Sequence, residues 1–220
     1  MKLDIRNRLE AINSEFTNEP LKYERKVLPN LGYLLVDVPP SLMNMLHQER
    51  KKLESDFEKG KKYNNRLSGQ IEQEYEIVDS RKTLEKFVKL AADEYYKLYN
   101  NESVMNNLQI IDVWINFQKK YEYNPTHTHS GILSFVLWLD IPYAIEDEFK
   151  EKLSKDSAKP HAGCFSFIYT NAVGGLTNEI IPADKTYNGK MLIFPANLMH
   201  CVYPFQTSDE YRVSISGNLR

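Results

Sequence analysis

The chain has few cysteines, no surplus of positive charge and no long apolar run, and each absence excludes a class of protein. Its only cysteines among 220 residues are Cys164 and Cys201. Two thiols are too few to cross-link a secreted scaffold, so we expect them to be free in a reducing cytoplasm. The formal net charge of −2 argues against bulk nucleic-acid binding. No apolar run reaches about 18 residues and no signal-peptide core is present, so we expect no membrane span.

The chain is expected to form one compact domain, helical in its first half and β in its second. Apolar residues at helical spacing predict helices over residues 5–16, 42–57 and 84–98. Short apolar runs between turn-rich stretches predict strands over residues 31–38, 110–117, 132–141, 163–170, 191–194 and 211–216. We therefore place helices and supporting strands in residues 1–107, packed on a β core in residues 108–220.

Two further segments carry expectations of their own. The lysine-rich stretch over residues 146–159 reads as a surface loop between strands. The apolar stripe of the first helix is compatible with docking inside the chain and also with homodimerisation.

Three of the five histidines fall in the β half with the spacing of a metal site. His127 and His129 are one residue apart, and His200 lies far downstream. On an extended strand, positions 127 and 129 project to the same side with Cα atoms roughly 6.5 Å apart. A jelly roll brings sequence-distant strands side by side, which would place His200 beside them. Three neutral nitrogens predict a transition metal such as iron, zinc, copper or nickel rather than magnesium or calcium.

Arg212 and Ser214 follow His200 on the last predicted strand and share a face of it. A guanidinium binds carboxylates through two parallel N–H groups and keeps its charge near neutral pH. The pair is therefore predicted to hold the far carboxylate of a dicarboxylic acid whose other end chelates the metal.

Asn116 and Gln118 share a face of an earlier predicted strand with Asp112 and Trp114. That alternation allows the two amides to point into the barrel, where they would contact cosubstrate or substrate. The same alternation of polar residues is expected if the two amides only face the neighbouring strand and contact no ligand.

Three blocks of the β half resemble the non-haem iron, 2-oxoglutarate-dependent oxygenase superfamily that includes the prolyl hydroxylases. The resemblance covers about residues 108–220, and the three blocks occur in the same order as in the family. Its blocks are His127-Thr128-His129, the segment over residues 194–200 that ends in His200, and the segment over residues 211–216 that carries Arg212. The segment over residues 67–71 and the strand with Ser134 also resemble a bacterial and phage-type subgroup.

The resemblance implies a double-stranded β-helix, or jelly roll, flanked by helices, so the fold class is mainly β with N-terminal α. It implies a dioxygenase that uses Fe(II), O2 and 2-oxoglutarate, hydroxylates an unidentified second substrate, and releases succinate and carbon dioxide. The metal ligands would be His127, His129 and His200. The 2-oxoglutarate contacts would come from Arg212 and Ser214, with Asn116 and Gln118 nearby.

One position departs from the family pattern, because His129 occupies the place of the usual Asp or Glu ligand. With three neutral ligands the iron keeps its full double charge, which strengthens attraction for dianionic 2-oxoglutarate and alters its redox behaviour. Alternatively, one member of the pair forms only a supporting hydrogen bond, or Asp112 or Asp140 supplies an oxygen.

Two other functions remain open at this stage. The first is a metal-binding jelly roll without catalysis that binds a partner. The second is a cupin-like metalloenzyme that does not use 2-oxoglutarate. The second is disfavoured because Leu133 and Ser134 stand where a cupin has a glutamate, and no neighbouring Glu offers a general base.

Overall fold

The fold consists of two antiparallel sheets with helices, in residues 32–99 and 108–220, which are the residues that the computed structural model describes. The helices are α1 (Pro40–Ser55), α2 (Arg81–Tyr99) and α3 (Ile145–Lys150), with short 3-10 turns at Phe57–Lys59, Asn64–Arg66 and Lys185–Tyr187. Two predicted helices are thus confirmed. The helix predicted over residues 5–16 lies outside the described residues.

Ten strands in the described ranges form the two sheets, and every pairing among them is antiparallel. They are β1 (Leu34–Asp37), β2 (Gln73–Glu76), β3 (Ile110–Gln118), β4 (Asn124–His127), β5 (Leu133–Asp140), β6 (Phe165–Thr170), β7 (Leu176–Ile181), β8 (Lys190–Pro195), β9 (Met199–Val202) and β10 (Arg212–Leu219). The larger sheet has the order β1-β8-β5-β10-β3-β2 and the smaller has β4-β9-β6-β7. This architecture confirms the predicted jelly roll with N-terminal helices.

The central strand β5 of the larger sheet is apolar on both faces, because one face carries helices and the other faces the smaller sheet. Strand β5 shows this alternation: Leu137 packs in the core that includes Leu46 of α1 and Leu84 of α2. Its neighbours Val136 and Trp138 belong to the second core, between the sheets. Alternate side chains of one strand therefore support the helices and line the interior of the jelly roll.

A buried carboxylate joins the two long helices. Glu49 of α1 accepts hydrogen bonds from the backbone N–H groups of Val78 (2.7 Å), Asp79 (2.9 Å) and Ser80 (2.8 Å) at the start of α2. These donors directly precede α2, and negative charge is favourable near the start of a helix. Glu49 therefore fixes α2 against α1.

The stretch over residues 146–159 is not a plain loop as predicted, because α3 occupies its beginning. Glu148 is fully buried and accepts hydrogen bonds from the backbone N–H groups of Gln206 (2.8 Å) and Thr207 (2.9 Å). A charged residue in a lysine-rich segment reads as solvated, and its burial depends on these distant backbone donors. The segment is thereby fixed to the loop that precedes β10.

We expect Gly217→Ala to lower the free energy of unfolding by about 2–3 kcal/mol, since overpacking in a closed core has costs of this size. A Cβ at this position of β10 would lie 2.4 Å from the carbonyl oxygen of Asp112 and 2.6 Å from the Phe135 ring. Denaturant unfolding measures the change. Gly175→Ala, at an exposed position, serves as the control and should change stability by less than about 0.5 kcal/mol. Equal stability of the two variants would contradict the packing described here.

No helix within the described ranges is long and apolar enough to cross a membrane. Strands β1 and β2, from the N-terminal part, form the two edges of the larger sheet. The division of the chain at residue 107 stays a prediction.

Candidate metal centre

Two of the three candidate ligands face each other across neighbouring strands of the smaller sheet. His127 is the last residue of β4 and pairs directly with His200 of β9. Directly opposed residues of an antiparallel pair project to the same face. His129 lies just beyond β4, where its backbone N–H donates to the carbonyl of Ala196 at 2.8 Å. The predicted strand thus carries only the first histidine of the pair, and a hydrogen-bonded loop positions the second.

The three imidazoles converge at one end of the space between the sheets. The nitrogen atoms of His127, His129 and His200 that could bind an ion all lie within 4.8 Å of one another. The ring centroids are 4.3 Å apart for His127 and His200, and 5.0 Å apart for His129 and His200. His200 is buried and the other two are partly buried. A small cation could reach all three rings.

Backbone carbonyls fix the tautomer of two of these rings. Nδ1 of His127 lies 2.7 Å from the carbonyl oxygen of Pro125, and Nδ1 of His200 lies 2.8 Å from that of Leu198. A carbonyl oxygen can only accept, so each Nδ1 carries the proton and each Nε2 keeps a free lone pair. Metal-binding histidines are oriented by hydrogen bonds of this kind.

Burial keeps all three imidazoles neutral at pH 7. Desolvation lowers the pKa of His200 to about 3 and that of His129 to about 4, and it also lowers the pKa of His127. Around His200 the rings of Phe165 and Phe194 have centroids 5.5 and 5.0 Å from its own. A neutral imidazole is the form that binds a metal.

The carboxylates considered as additional ligands do not join the cluster that the described residues form. Asp112 accepts a hydrogen bond from the hydroxyl of Tyr63, and Asp140 pairs with Arg50 at 2.6 Å. The donor set is therefore three neutral nitrogens, which fits a divalent transition ion. Such an ion would keep its double charge, and an anionic ligand would balance it.

Arg212 lines the same cavity as the histidines and is almost completely buried, at 3% exposure. All five of its N–H groups donate to neutral acceptors. Nε and Nη2 donate to Oε1 of Gln118 (3.1 and 2.7 Å), and Nη2 also donates to the carbonyl of Tyr203 (3.1 Å). Nη1 donates to the Tyr143 hydroxyl (2.5 Å) and to the carbonyl of Gly163 (2.8 Å).

The charge of Arg212 has no counter-ion, since none of the ion pairs in the described part of the chain includes it. A buried charge with only neutral partners is costly, and this cost favours binding of an anion. An incoming carboxylate would compete with the neutral acceptors for the same N–H groups. The carboxylate would form the stronger hydrogen bonds, because charge-assisted hydrogen bonds are about twice as strong as neutral ones.

Asn116 and Ser214 lie opposite each other on β3 and β10 and are linked by a hydrogen bond. The indole N–H of Trp114 donates to Oδ1 of Asn116 (3.1 Å), whose Nδ2 donates to Oγ of Ser214 (3.2 Å). Because Oγ already accepts a bond, its own proton can be donated to a ligand. The predicted 2-oxoglutarate contacts of Asn116, Gln118 and Ser214 stay predictions, although all three line the cavity.

Sequence reasoning missed two residues that belong to this cavity or its support. Tyr143, buried after β5, accepts from Arg212 and donates its own proton to the carbonyl of Gly163 at 2.8 Å. Desolvation raises its pKa to about 12, so it is neutral at pH 7. Glu74 of β2 also lines the cavity and is 1% exposed. Neither stands near a histidine in the sequence. Strand pairing brings Glu74 to the site, and tertiary packing brings Tyr143 there.

We expect Gln118→Glu to weaken 2-oxoglutarate binding by about tenfold or more, because a carboxylate at Oε1 would neutralise the charge that the ligand needs. Calorimetric titration with 2-oxoglutarate measures the effect. Gln109→Glu, at an exposed position of the same sheet region, adds equal charge and should leave affinity unchanged. An unaltered affinity in Gln118→Glu would show that Arg212 does not bind the ligand.

Comparison with known proteins identifies what this arrangement is similar to. Residues 112–218 match the profile of a family described as "Putative 2OG-Fe(II) oxygenase". A search of curated proteins gives no match. Among solved structures, a prolyl-4-hydroxylase from Pseudomonas putida has a TM-score of 0.53 at 14% identity, covering 96% of this chain and 98% of that one. The non-heme alpha ketoglutarate dependent epimerase SnoN from nogalamycin biosynthesis has a TM-score of 0.56 at 13% identity, covering 97% and 80%. Likeness at these identities shows a shared fold.

Proposed function

We propose that this chain, whose residues 112–218 match the 2OG-Fe(II) oxygenase family model, is an Fe(II)- and 2-oxoglutarate-dependent dioxygenase. The reaction would join one oxygen atom of O2 to a substrate C–H bond as a hydroxyl group. The other oxygen atom would enter succinate as 2-oxoglutarate loses carbon dioxide. One observation supports the proposal most: one cavity is lined by three converging imidazoles and by a buried guanidinium that has no counter-ion among the described residues.

His127, His129 and His200 would hold the iron through their free nitrogens. When bound, Fe(II) supplies the activation of O2 that side chains alone cannot provide. The backbone carbonyls of Pro125 and Leu198 keep two of the rings in the tautomer that can bind it. The aromatic residues around His200 exclude water from that side of the site.

Arg212 would bind the distal carboxylate of 2-oxoglutarate, and Ser214 would donate its hydroxyl proton to the same group. The guanidinium is held in place before the ligand arrives, because its neutral partners fix its orientation. Preorganisation of this kind reduces the entropy lost on binding. Gln118 and Tyr143 act here as positioning residues for Arg212.

A second candidate function follows from the donor set, because no carboxylate joins the histidine cluster within the described residues. Without a carboxylate ligand the chain could bind a metal and a partner without catalysis. Three neutral ligands leave more charge on the ion and change its redox behaviour, so binding does not guarantee turnover.

Succinate formation separates the two functions. The chain is loaded with Fe(II) under argon, given 2-oxoglutarate and a pool of amino acids, peptides and small metabolites, and exposed to O2. If the chain is a dioxygenase, 2-oxoglutarate should be consumed and succinate should appear. The His200→Ala variant should form no succinate. Bound iron and 2-oxoglutarate with no succinate above the variant's background would favour the binding function.

A further inference from the structure

Glu74 is a buried carboxylate in the proposed active-site cavity to which the proposed reaction assigns no role. It lies in β2 opposite Asn116 of β3, which in turn lies opposite Ser214 of β10. Arg212 lies two residues before Ser214, so strand spacings place the Cα atoms of Glu74 and Arg212 about 12 Å apart. The cavity is thus lined by a guanidinium in one region and by a carboxyl group in another.

The hydrogen bonding of Glu74 is incomplete, in contrast to that of other buried carboxylates of the chain. Glu49 accepts three backbone N–H groups, and Glu148 accepts two backbone N–H groups and the hydroxyl of Thr207. The side chain of Glu74 accepts one bond, from Nδ2 of Asn64 to Oε2 at 3.2 Å. No cation pairs with Glu74 among the ion pairs of the described residues.

Beside Glu74, one further oxygen atom lacks a hydrogen-bond donor. The amide of Asn64 is oriented by the carbonyls of Ile71 (2.8 Å) and Glu72 (3.3 Å), which accept from its Nδ2. Its Oδ1 is consequently left buried without a hydrogen bond. Buried acceptors without donors are rare and indicate an absent partner, either water or a ligand.

Gly69 allows side-chain oxygens of Glu74 and Asn124 to lie close to its backbone. A Cβ at this position would lie 2.9 Å from Oε1 of Glu74 and 2.4 Å from Oδ1 of Asn124. Because glycine has no Cβ, Oε1 of Glu74 and Oδ1 of Asn124 can approach the backbone this closely, so both oxygens converge there. Gly69, Glu74 and Asn124 all line the cavity that contains the histidines.

We propose that Glu74 recognises a cationic nitrogen group of the substrate, a protonated amine or guanidine, in the cavity that the histidines and Arg212 share. This inference rests on the proposed function, because it assigns the substrate class of the same site. Burial, and secondarily the charge of Glu122, raise the pKa of Glu74 to about 7. A cation bound there would stabilise the ionised carboxylate that burial disfavours. The two ligands would then match the charges of the cavity: the anion 2-oxoglutarate would bind near Arg212, and the cationic group would bind near Glu74.

The test uses two probes of equal shape, n-propylguanidine and N-propylurea, titrated by calorimetry at pH 8 into the full chain loaded anaerobically with Fe(II) and 2-oxoglutarate. The guanidinium stays protonated and so does not bind the metal itself. The native chain should bind the cation at least about tenfold more tightly than the urea, as expected for hydrogen bonds to a charged group. Glu74→Gln should lose this preference, and Glu74→Asp should retain part of it. Melting temperatures check that each variant is folded.

Glu72→Gln is the matched control, because it removes an exposed carboxylate two residues away and should keep the full preference. The inference is overturned if the native chain shows no preference, or if Glu74→Gln keeps it. Titration of the native chain with 2-oxoglutarate shows whether the inference about Glu74 or the proposed function has failed. Cation preference that depends on Glu74 without 2-oxoglutarate binding would contradict only the proposed function. Succinate formation without cation preference would contradict only this inference.

Discussion

Replacing His200 with alanine is expected to reduce Fe(II) or Co(II) affinity by at least about a hundredfold. Loss of a hydrogen bond that supports a metal ligand lowers metal affinity by about 10–100-fold, and loss of the ligand itself lowers it further. His200 is the most buried ligand candidate, lies opposite His127 in the sheet, and has its lone pair directed away from the carbonyl of Leu198. Calorimetric or spectroscopic titration of the metal-free chain measures the loss.

His47→Ala is the matched control for this experiment. His47 lies in α1, on the other side of the larger sheet from the cavity, and lies outside the described histidine cluster. Its removal should leave metal affinity unchanged, and melting temperatures should show that both variants remain folded. Metal affinity that survives in His200→Ala would contradict the three-histidine site.

Replacing Arg212 with lysine is expected to weaken 2-oxoglutarate binding by about a hundredfold. An ammonium keeps the charge but loses the planar arrangement of N–H groups that binds a carboxylate bidentately. In the native chain these groups are fixed by Gln118, Tyr143 and two backbone carbonyls, and lysine cannot satisfy all of them. Titration with 2-oxoglutarate in the presence of the metal measures the change.

The control for Arg212→Lys is Arg81→Lys, which makes the same substitution at a partly exposed ion pair with Glu76. Its 2-oxoglutarate affinity should equal that of the native chain. Metal affinity should be unchanged in both variants, which separates loss of the carboxylate contact from loss of the metal. If Arg212→Lys retained full affinity for 2-oxoglutarate, the assignment of this residue would be wrong.

The fold was predictable where burial produces a clear apolar pattern. The runs that became β3, β5, β6, β8 and β10 are buried along much of their length, so composition alone indicated strands. The edge strands β2 and β7 lack a continuous apolar run, since their sequences are Gln-Glu-Tyr-Glu and Leu-Thr-Asn-Glu-Ile-Ile, and they gave no such signal. Their strand character comes from pairing with one neighbour, which local sequence does not encode.

The site was predictable where chemistry requires rare residues at a fixed spacing. His127, His129 and His200 were selected in this way, and the structure brings their rings together. The surroundings of Arg212 were not predictable, because Tyr143 and Gly163 reach it through tertiary packing. Glu74 was missed for the same reason: one Glu in a polar segment reads as a solvated residue.

The resemblance of the sequence to the oxygenase superfamily is confirmed, while the substrate and the reaction of this chain stay proposals. Within the described part of the chain, no carboxylate joins the histidine cluster, and this has a physical consequence for ligand binding. An ion held by neutral imidazoles keeps two positive charges, and Arg212 adds a third nearby. The cavity is therefore expected to prefer dianions over monoanions more strongly than a site with an acidic ligand.

The most direct measurement is a spectroscopic titration of the Fe(II)-loaded chain with 2-oxoglutarate under argon. Simultaneous binding of the keto acid by the metal and by Arg212 predicts a visible charge-transfer band that rises to saturation with 2-oxoglutarate. His200→Ala should give no band. Arg212→Lys should need far higher concentrations of 2-oxoglutarate to reach the same band intensity. A folded, iron-loaded native chain that develops no band at saturating 2-oxoglutarate would contradict the account.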